Sequence, residues 1–255
     1  MPQNPHMVMN RDAPPAIHAV IPAAGHGSRA GSAQPKQFRH VAGQSLLAHT
    51  LQALAGVPRL ARICVVLAPG ERFDDLPDAR CVTADCGGPT RAVSVLNGLD
   101  HVLRTGGTHA DWVLVHDAAR CLVRPEWVQA LIGAVLAANH ELQRGDAAQQ
   151  PVGGLLALPA ADTLKRADER GRVRATVSRS DIWLAQTPQM FPLGLLRAAL
   201  AQALDTQPDA VTDEASAMEM AGHQPLLVPG HPFNIKVTWP EDFALAEALL
   251  KDRTA

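Results

Sequence analysis

Aromatic side chains are scarce in this chain of 255 residues: they make up 4% of it, and tyrosine is absent. Proteins that bind single-stranded nucleic acid stack the bases on aromatic side chains and attract the phosphate backbone with a basic surface. The formal net charge is −2, so the chain as a whole offers neither feature. Nucleic acid is therefore not predicted as a partner, and any site for a polyanion must be local.

Long apolar runs are also missing. No stretch approaches the roughly 18 apolar residues that indicate a membrane-spanning helix, so no membrane partner is predicted. The first 15 residues are polar and proline-rich and lack the apolar core of a secretory signal. We interpret residues 1–15 as a disordered leader.

Paired metal-binding and thiol motifs are absent from the sequence. The four cysteines form no C-x-x-C pair, and the eleven histidines include no H-E-x-x-H motif. A zinc site built from histidines is therefore not expected. Unpaired cysteines are typical of a reducing compartment, which predicts a cytoplasmic protein.

The sequence does contain a regular alternation of short apolar runs and helical patterns. The predicted strands lie at residues 17–21, 63–67, 80–83, 112–116, 155–158 and 224–228. The predicted helices cover residues 45–55, 89–103, 125–138, 192–204, 212–220 and 241–250. This alternation predicts an α/β fold with one Rossmann-like domain over residues 16–252. Its mostly parallel, twisted sheet would carry helices on both faces and bind ligands at the carboxyl ends of the strands.

Residues 161–179 break the alternation, because nine of them are charged. A turn at residues 168–171 separates two short strand-like segments at 163–166 and 173–177, which predicts a protruding β-hairpin arm over about residues 161–183. An isolated two-stranded hairpin is only marginally stable in water. We therefore expect a partner subunit to cover the arm; a solvated insertion loop is the alternative.

The most informative segment is PAAGHGSRA at residues 22–30, directly after the first predicted strand. Glycines let the backbone approach a ligand closely, and successive N–H groups form an anion site. Arg29 and Lys36 add two positive charges beside it. The segment lacks the lysine spacing of a P-loop and the third glycine and ribose-binding acid of a dinucleotide fold. It predicts a different kind of triphosphate site; an ordinary glycine-rich turn is the alternative.

Seven segments, in the same order, resemble the 2-C-methyl-D-erythritol 4-phosphate cytidylyltransferase family, also called 4-diphosphocytidyl-2-C-methyl-D-erythritol synthases. They are residues 22–37, GGPTRAVSV at 87–95, HDAAR at 116–120, DTLK at 162–165, QTPQ at 186–189, TDEA at 212–215 and NIKVT at 234–238. The chain departs from the family at Pro89, where some members have an acid that contacts nucleotide, and at Cys121, where proline is common. A second form of the family carries a fused synthase domain, and because the chain ends too early for it we expect the monofunctional form.

The resemblance implies an α/β nucleotidyltransferase that transfers CMP from CTP to a branched polyol phosphate and releases pyrophosphate, in the non-mevalonate route to isoprenoid precursors. It also implies Mg²⁺, bound mainly through the CTP phosphates and water, and a homodimer formed through the arm. The acceptor phosphate has a second pKa near 6, so it is ionised at neutral pH without a general base. Catalysis then needs reduced anion–anion repulsion and an in-line geometry.

The resemblance also implies roles for individual residues. The expected catalytic residues are Arg29, Lys36 and Lys236. The expected nucleotide-binding residues are Ala23, Ala24, Gly25, Gly27, Gly88, Ser94 and Asp117. The expected acceptor-binding residues are Asp117, Arg120, Thr163, Arg179 and Thr187, of which Thr163 and Arg179 would reach the neighbouring subunit's site from the arm.

Other activities stay open on the sequence alone. A cytidylyltransferase for another polyol phosphate, such as ribitol 5-phosphate, would share the glycine loop and both lysines. A nicotinamide-dependent oxidoreductase would use the glycine loop differently, although the missing third glycine and ribose acid count against it. A nucleotide-binding protein without catalysis would have no need of Arg29 and the two lysines.

Overall fold

A computed structural model of the chain describes residues 14–25, 35–144 and 153–253. Most of the predicted leader, residues 1–15, lies outside these residues, as do residues 145–151. The strands are β1 Ile17–Pro22, β2 His40–Val41, β3 Gln44–Ser45, β4 Leu60–Val66, β5 Cys81–Ala84, β6 Trp112–Val115, β7 Gly154–Pro159, β8 Leu164–Ala167, β9 Val173–Val177, β10 Trp183–Pro192 and β11 Leu226–Pro229. The helices are α1 Leu46–Ala55, α2 Arg91–Arg104, α3 Pro125–Arg144, α4 Leu193–Thr206, α5 Glu214–Met220 and α6 Pro240–Asp252.

Within the described ranges, seven strands form the central sheet, in the order β11-β7-β10-β6-β1-β4-β5. β1 pairs in parallel with both β4 and β6, and β4 pairs in parallel with β5. The chain moves from β5 on one side of β1 to β6 on the other. A crevice therefore opens at the carboxyl ends of β1 and β6, where open α/β sheets bind their ligands.

The predicted mostly parallel sheet is confirmed, but β10 was not predicted. It runs antiparallel to both β6 and β7, with a register shift between Ala185 and Gln189. Its sequence, WLAQTPQMFP, contains two prolines, which normally argue against a strand in the interior of a sheet. The irregular pairing accommodates Pro188 without ending the strand.

Among the described residues, the core has two large apolar layers, one on each face of the sheet, and a smaller apolar cluster between α6 and residues 121–122. α1 and α3 cover one face, and α2, α4 and α5 cover the other. Alternate residues of β1 point to opposite faces: Ala19 and Ile21 pack in the first layer, and Val20 packs in the second. Burial on both faces explains why the predicted strands are continuous apolar runs without polar alternation.

Helix α2 begins two residues later than predicted. Thr90 is its N-cap, and the Thr90 hydroxyl oxygen accepts a hydrogen bond from the backbone N–H of Val93 at 3.2 Å. The prediction that Pro89 begins the helix was wrong, because Thr90 supplies the side-chain cap that proline lacks. Pro89 instead belongs to the turn that precedes the helix.

The charged segment forms an antiparallel hairpin of β8 and β9, in which Leu164 pairs with Val177. Asp168 closes the turn by accepting hydrogen bonds from the backbone N–H groups of Arg170 and Arg172 at 3.0 and 2.9 Å. Most residues of both strands are exposed.

Among the described residues, no helix has the length and apolar character needed to cross a membrane.

Candidate active site

A cleft of about 680 Å³ lies at the carboxyl ends of β1, β4 and β6. Its lining includes the residues that follow β1, the turn at residues 87–91, residues 117–119 after β6, and Lys236. Segments that are far apart in the sequence therefore meet at the edge of the sheet that the predicted topology assigns to ligand binding.

The predicted phosphate loop is described only in part. Gly27 and Arg29 lie outside the described residues, so their predicted roles stay predictions. Ala23, Ala24 and Gly25 line the cleft. A Cβ added to Gly25 would meet no atom of the described residues within 4 Å, so no clash with those residues requires a glycine here.

Gln37 braces the start of this loop, a role that sequence reasoning missed. Its buried side-chain amide donates hydrogen bonds to the carbonyl oxygens of Ala23 at 2.6 Å and Gly25 at 3.0 Å. The neighbouring Lys36 donates from Nζ to the carbonyl oxygen of Val237 at 2.9 Å. Both residues of this Lys-Gln pair therefore tie the 3-10 helix at Lys36–Phe38 to the walls of the cleft.

The two-glycine turn at residues 87–88 packs closely against the start of the loop. A Cβ on Gly87 would lie 2.2 Å from the Cβ of Ala24, so no other residue fits there without movement. The backbone N–H of Gly88 donates to the Ser94 hydroxyl at 3.0 Å, and that hydroxyl donates to the carbonyl of Thr90 at 2.9 Å. Ser94 thus holds the shape of the turn; its predicted contact with cytosine stays a prediction.

Asp117 is the centre of the charged network in the cleft. Its Oδ1 accepts a hydrogen bond from Arg91 Nε at 2.7 Å, and its Oδ2 accepts one from Lys236 Nζ at 2.8 Å. Arg120 Nε lies 3.9 Å from the same Oδ2. Burial alone would raise the pKa of Asp117, but the charges of Arg91 and Lys236 outweigh burial and hold that pKa well below its usual range. The carboxylate is therefore ionised at neutral pH.

Arg91 and Glu214 complete the network, and neither was given a role from the sequence. Arg91 donates from Nη1 and Nη2 to the two carboxylate oxygens of Glu214 at 2.7 and 3.1 Å. Burial would lower the pKa of Arg91, but Asp117 and Glu214 together raise it. One signal was available: Arg91 is the first residue of α2, and a cation there opposes the helix dipole unless carboxylates hold it.

Arg120 and Thr187 lie behind Asp117 and are not part of the described cleft lining. Arg120 donates from Nη1 to the carbonyl of Asn234 at 2.6 Å and from Nη2 to that of Ala185 at 3.4 Å. The Thr187 hydroxyl accepts a hydrogen bond from the backbone N–H of Asp117 at 3.0 Å. In this structure both side chains support the Asp117 loop; direct contact with the acceptor stays a prediction.

Thr163 and Arg179 lie apart from the cleft of their own chain. Both side chains are exposed at the base of the hairpin, and neither is part of the described cleft lining. The structure of one chain therefore does not bring these two predicted acceptor-binding residues together with Lys36, Lys236 and Asp117.

His116 is fully buried beneath the site, and its hydrogen bonds assign its proton. The carbonyl of Arg120, 3.3 Å from Nε2, can only accept, so Nε2 carries the hydrogen. Nδ1 then accepts from the Thr187 hydroxyl at 3.1 Å. Burial is the main cause that lowers the pKa of His116, to about 4. A neutral buried imidazole serves here as a structural link rather than as a general base.

We expect His116 to make folding sensitive to acid. Because the pKa of His116 is lowered in the folded state, the contribution of His116 to the free energy of unfolding is fully present above the unfolded pKa of about 6.5. This contribution, about 3 kcal/mol, is lost as the pH falls towards the folded pKa of about 4. Urea unfolding at neutral and acidic pH should show a weaker pH dependence for His116→Gln than for wild type. His140→Gln, at an exposed position of α3, is the matched control; equal slopes for wild type and His116→Gln would contradict the assignment.

Comparisons with known proteins agree with this geometry. A family model described as IspD, 2-C-methyl-D-erythritol 4-phosphate cytidylyltransferase, matches residues 17–252. The enzyme of that name from Ralstonia nicotianae is 52% identical over 239 residues, which cover 91% of this chain and 90% of the relative. The bifunctional enzyme IspD/IspF of Albidiferax ferrireducens is also 52% identical, but this chain spans only 58% of that relative's length.

Solved structures give the same result. A crystal structure of 4-diphosphocytidyl-2C-methyl-D-erythritol synthase superposes with a TM-score of 0.75 at 39% identity, covering 93% of this chain and 99% of that one. The structure of the cytidylyltransferase from Francisella tularensis gives 0.74 at 32% identity, covering 92% and 99%. With the family model and these relatives in agreement over nearly the whole domain, the chain belongs to the 2-C-methyl-D-erythritol 4-phosphate cytidylyltransferase family.

Proposed function

We propose that the protein transfers CMP from CTP to 2-C-methyl-D-erythritol 4-phosphate, giving 4-diphosphocytidyl-2-C-methyl-D-erythritol and pyrophosphate in the non-mevalonate pathway. The observation that carries this proposal is the meeting of Lys36, Lys236 and Asp117 in one cleft at the strand ends, in a chain that matches this family over residues 17–252. The two lysines and the backbone of residues 23–25 suit a triphosphate and a second phosphate ester.

In the proposed reaction, an oxygen of the acceptor phosphate attacks the α-phosphorus of CTP. A phosphorus–oxygen bond forms there as the bond to the bridging β-phosphate oxygen breaks, and pyrophosphate leaves with the electron pair. No proton needs to move, because the acceptor phosphate is already ionised at neutral pH. Lys36 and Lys236 then have the task of lowering the repulsion between the two anions and stabilising charge on the α-phosphoryl oxygens.

Magnesium is proposed to enter with CTP. Among the described residues, no group of three or more His, Cys, Asp or Glu could hold a metal ion. Asp117 is the one acid in the described lining, and it is already paired with Arg91 and Lys236. Mg²⁺ commonly keeps several waters and binds largely through substrate phosphates. With Asp117 paired to its cations, the CTP phosphates and water would hold the ion, and the ion would neutralise phosphate charge.

CTP should be strongly preferred over UTP. Replacing the N4 amine of cytosine by the O4 oxygen of uracil would put an acceptor opposite backbone acceptors near Gly88. Each buried polar group left unpaired costs roughly 1–3 kcal/mol, or about 5- to 150-fold in kcat/KM. Comparing kcat/KM for the two nucleotides measures this preference directly. Equal efficiency with UTP would contradict a cytosine pocket beside Gly88 and Ser94.

We also propose a homodimer formed through the hairpin. The exposed hairpin carries Thr163 and Arg179 away from its own cleft. Large apolar side chains are exposed on β9 and at the start of β10, with Val173 66% and Leu184 53% exposed. A second copy covering this surface would bury these apolar side chains, and Thr163 and Arg179 would reach the acceptor site of that second copy.

A cytoplasmic location is proposed as well, because all four cysteines are unpaired.

Pyrophosphate release tests the proposed activity. Purified protein is assayed with four nucleoside triphosphates, each combined with 2-C-methyl-D-erythritol 4-phosphate or ribitol 5-phosphate. We expect release only with CTP and the branched acceptor, and its loss when a chelator removes Mg²⁺. Preferential use of ribitol 5-phosphate would favour the other polyol cytidylyltransferase. Tight NADH binding in a fluorescence titration, without pyrophosphate release, would favour the oxidoreductase.

A further inference from the structure

Asp117 is a buried carboxylate surrounded by three cationic side chains. It is 7% exposed, and it accepts from Arg91 on one oxygen and from Lys236 on the other, with Arg120 Nε 3.9 Å from the second oxygen. The side chains of Arg91 and Arg120 are 28% and 12% exposed, whereas that of Lys236 is 41% exposed. Lys236 is therefore the partner of Asp117 that substrates can reach most easily.

The pairing between Lys236 and Asp117 conflicts with the proposed task of Lys236. An ammonium that neutralises substrate phosphate has to weaken or leave its hydrogen bond to Asp117 Oδ2. That would leave one oxygen of a buried carboxylate without a partner, which is costly in the low-dielectric interior. A second donor for Oδ2 would remove this penalty.

Arg120 supplies that donor. Its Nε is buried and has no hydrogen-bond partner among the described residues. The guanidinium is anchored at its other end by the bonds from Nη1 to Asn234 and from Nη2 to Ala185. A shift of about 1 Å would bring Nε from 3.9 Å into hydrogen-bond range of Oδ2. The donor without an acceptor, Arg120 Nε, therefore faces the acceptor that would lose its donor, Asp117 Oδ2.

Arg91 and Glu214 hold the other side of the carboxylate. Arg91 Nε binds Asp117 Oδ1, while its two Nη atoms form a fork on Glu214, whose side chain is 1% exposed. Glu214 is the first residue of α5 and Arg91 is the first residue of α2, so two helices of the scaffold fix the hydrogen bond from Arg91 to Asp117. It does not depend on which cation occupies Oδ2.

We propose that Arg91 and Glu214 are positioning residues that hold Asp117 in place, and that Arg120 Nε replaces Lys236 on Asp117 Oδ2 when Lys236 moves to the substrate phosphates. The proposal rests on the proposed function, because a phosphate substrate is what draws Lys236 away. Asp117 then exchanges one cation for another and never becomes unpaired.

The crystal structure of Lys236→Met tests the exchange without any turnover. This variant changes a half-exposed side chain and leaves the buried cluster intact. We expect Arg120 Nε within about 3.2 Å of Asp117 Oδ2, and the same contact in wild type with CTP bound. Lys251→Met, which removes the ion pair with Glu247 on α6, should leave the 3.9 Å separation unchanged. A water or solvent cation on Oδ2 in Lys236→Met, or a carboxylate rotated away, would overturn the proposal.

A double-mutant cycle tests the positioning role. If Arg91 acts through Asp117, then Arg91→Gln and Asp117→Asn should each lower kcat/KM by about 10²-fold, and the double variant by little more than either. Independent effects would multiply to about 10⁴-fold and would refute the role. Arg91→Lys should not rescue activity, because one ammonium cannot span Asp117 and both oxygens of Glu214. Arg197→Gln, which breaks the ion pair with Asp100 between α4 and α2, controls for loss of an ordinary interhelical pair.

The two proposals fail in different ways. Wild-type protein that does not release pyrophosphate from CTP would refute the proposed function, whatever the structure of Lys236→Met shows. Normal turnover by wild type, with Arg120 unmoved in Lys236→Met and in the CTP complex, would refute the cation exchange alone.

Discussion

Replacing Lys36 by alanine should lower kcat with CTP by about 10²–10³-fold, the usual effect of removing one preorganised charge that stabilises a transition state. Lys36 lines the cleft beside the backbone of residues 23–25 and is tied to the opposite wall through the carbonyl of Val237. It belongs to a short 3-10 helix at the rim of the cleft. Lys36→Ala should therefore slow the chemical step without preventing folding.

Single-turnover rates of cytidylyl transfer measure this effect, and circular dichroism checks that the fold is intact. Lys251→Ala is the matched control, since it removes a lysine from the surface of α6, where Lys251 pairs with Glu247. Its rate should equal that of wild type. A Lys36→Ala variant with near-normal turnover would refute the role assigned to Lys36.

Arg179→Ala should raise KM for the sugar phosphate by about 10- to 150-fold, while KM for CTP changes little. A hydrogen bond to a charged group contributes roughly 1.5–3 kcal/mol, and the planar guanidinium suits a phosphate because it donates in pairs. Steady-state kinetics with each substrate varied in turn separate the two constants. Arg174→Ala, an exposed arginine on β9 of the same hairpin, is the control and should change neither.

Mixing Arg179→Ala with Lys36→Ala, at a sugar phosphate concentration far below the raised KM of Arg179→Ala so that each variant alone is nearly inactive, shows which subunit's site Arg179 serves. In a heterodimer of Arg179→Ala and Lys36→Ala, an arm that crosses the interface puts both changes in one site and leaves the other site intact. After exchange of equal amounts, about a quarter of all sites should be intact in a two-fold symmetric dimer. Activity should return to that level once mass-tagged subunits show exchange. Exchange without recovery would mean that the arm serves its own subunit.

The architecture could be predicted from local patterns. Strands buried on both faces, such as β1, are continuous apolar runs, and Ser45 caps α1 through its hydroxyl at the predicted start. β10 was missed because its prolines argue locally against a strand, whereas its pairing with β6 and β7 is decided by tertiary structure. Local sequence carries no direct signal for such long-range pairing.

The difference between local patterns and long-range contacts also explains which parts of the candidate site could be predicted. Lys36, Lys236 and Asp117 belong to segments with a recognisable order, and the structure brings them into one cleft. The pair of Arg91 and Glu214 joins residues 123 positions apart, so its existence depends on how α2 and α5 pack. The resemblance assigns Thr187 to the acceptor side, which stays a prediction, and in the folded chain its hydroxyl also supports the backbone of Asp117. Sequence order cannot separate a side chain that lines a cleft from one that lies directly behind it.

CTP labelled with radioactive phosphorus at the α position gives the most direct test of direct cytidylyl transfer in this cleft. Incubated with 2-C-methyl-D-erythritol 4-phosphate and Mg²⁺, the protein should move all of the consumed label into 4-diphosphocytidyl-2-C-methyl-D-erythritol, with one pyrophosphate released for each product and no label on the protein. Label found in free CMP, or covalently on the protein, would contradict direct attack of the acceptor phosphate on the α-phosphorus of CTP.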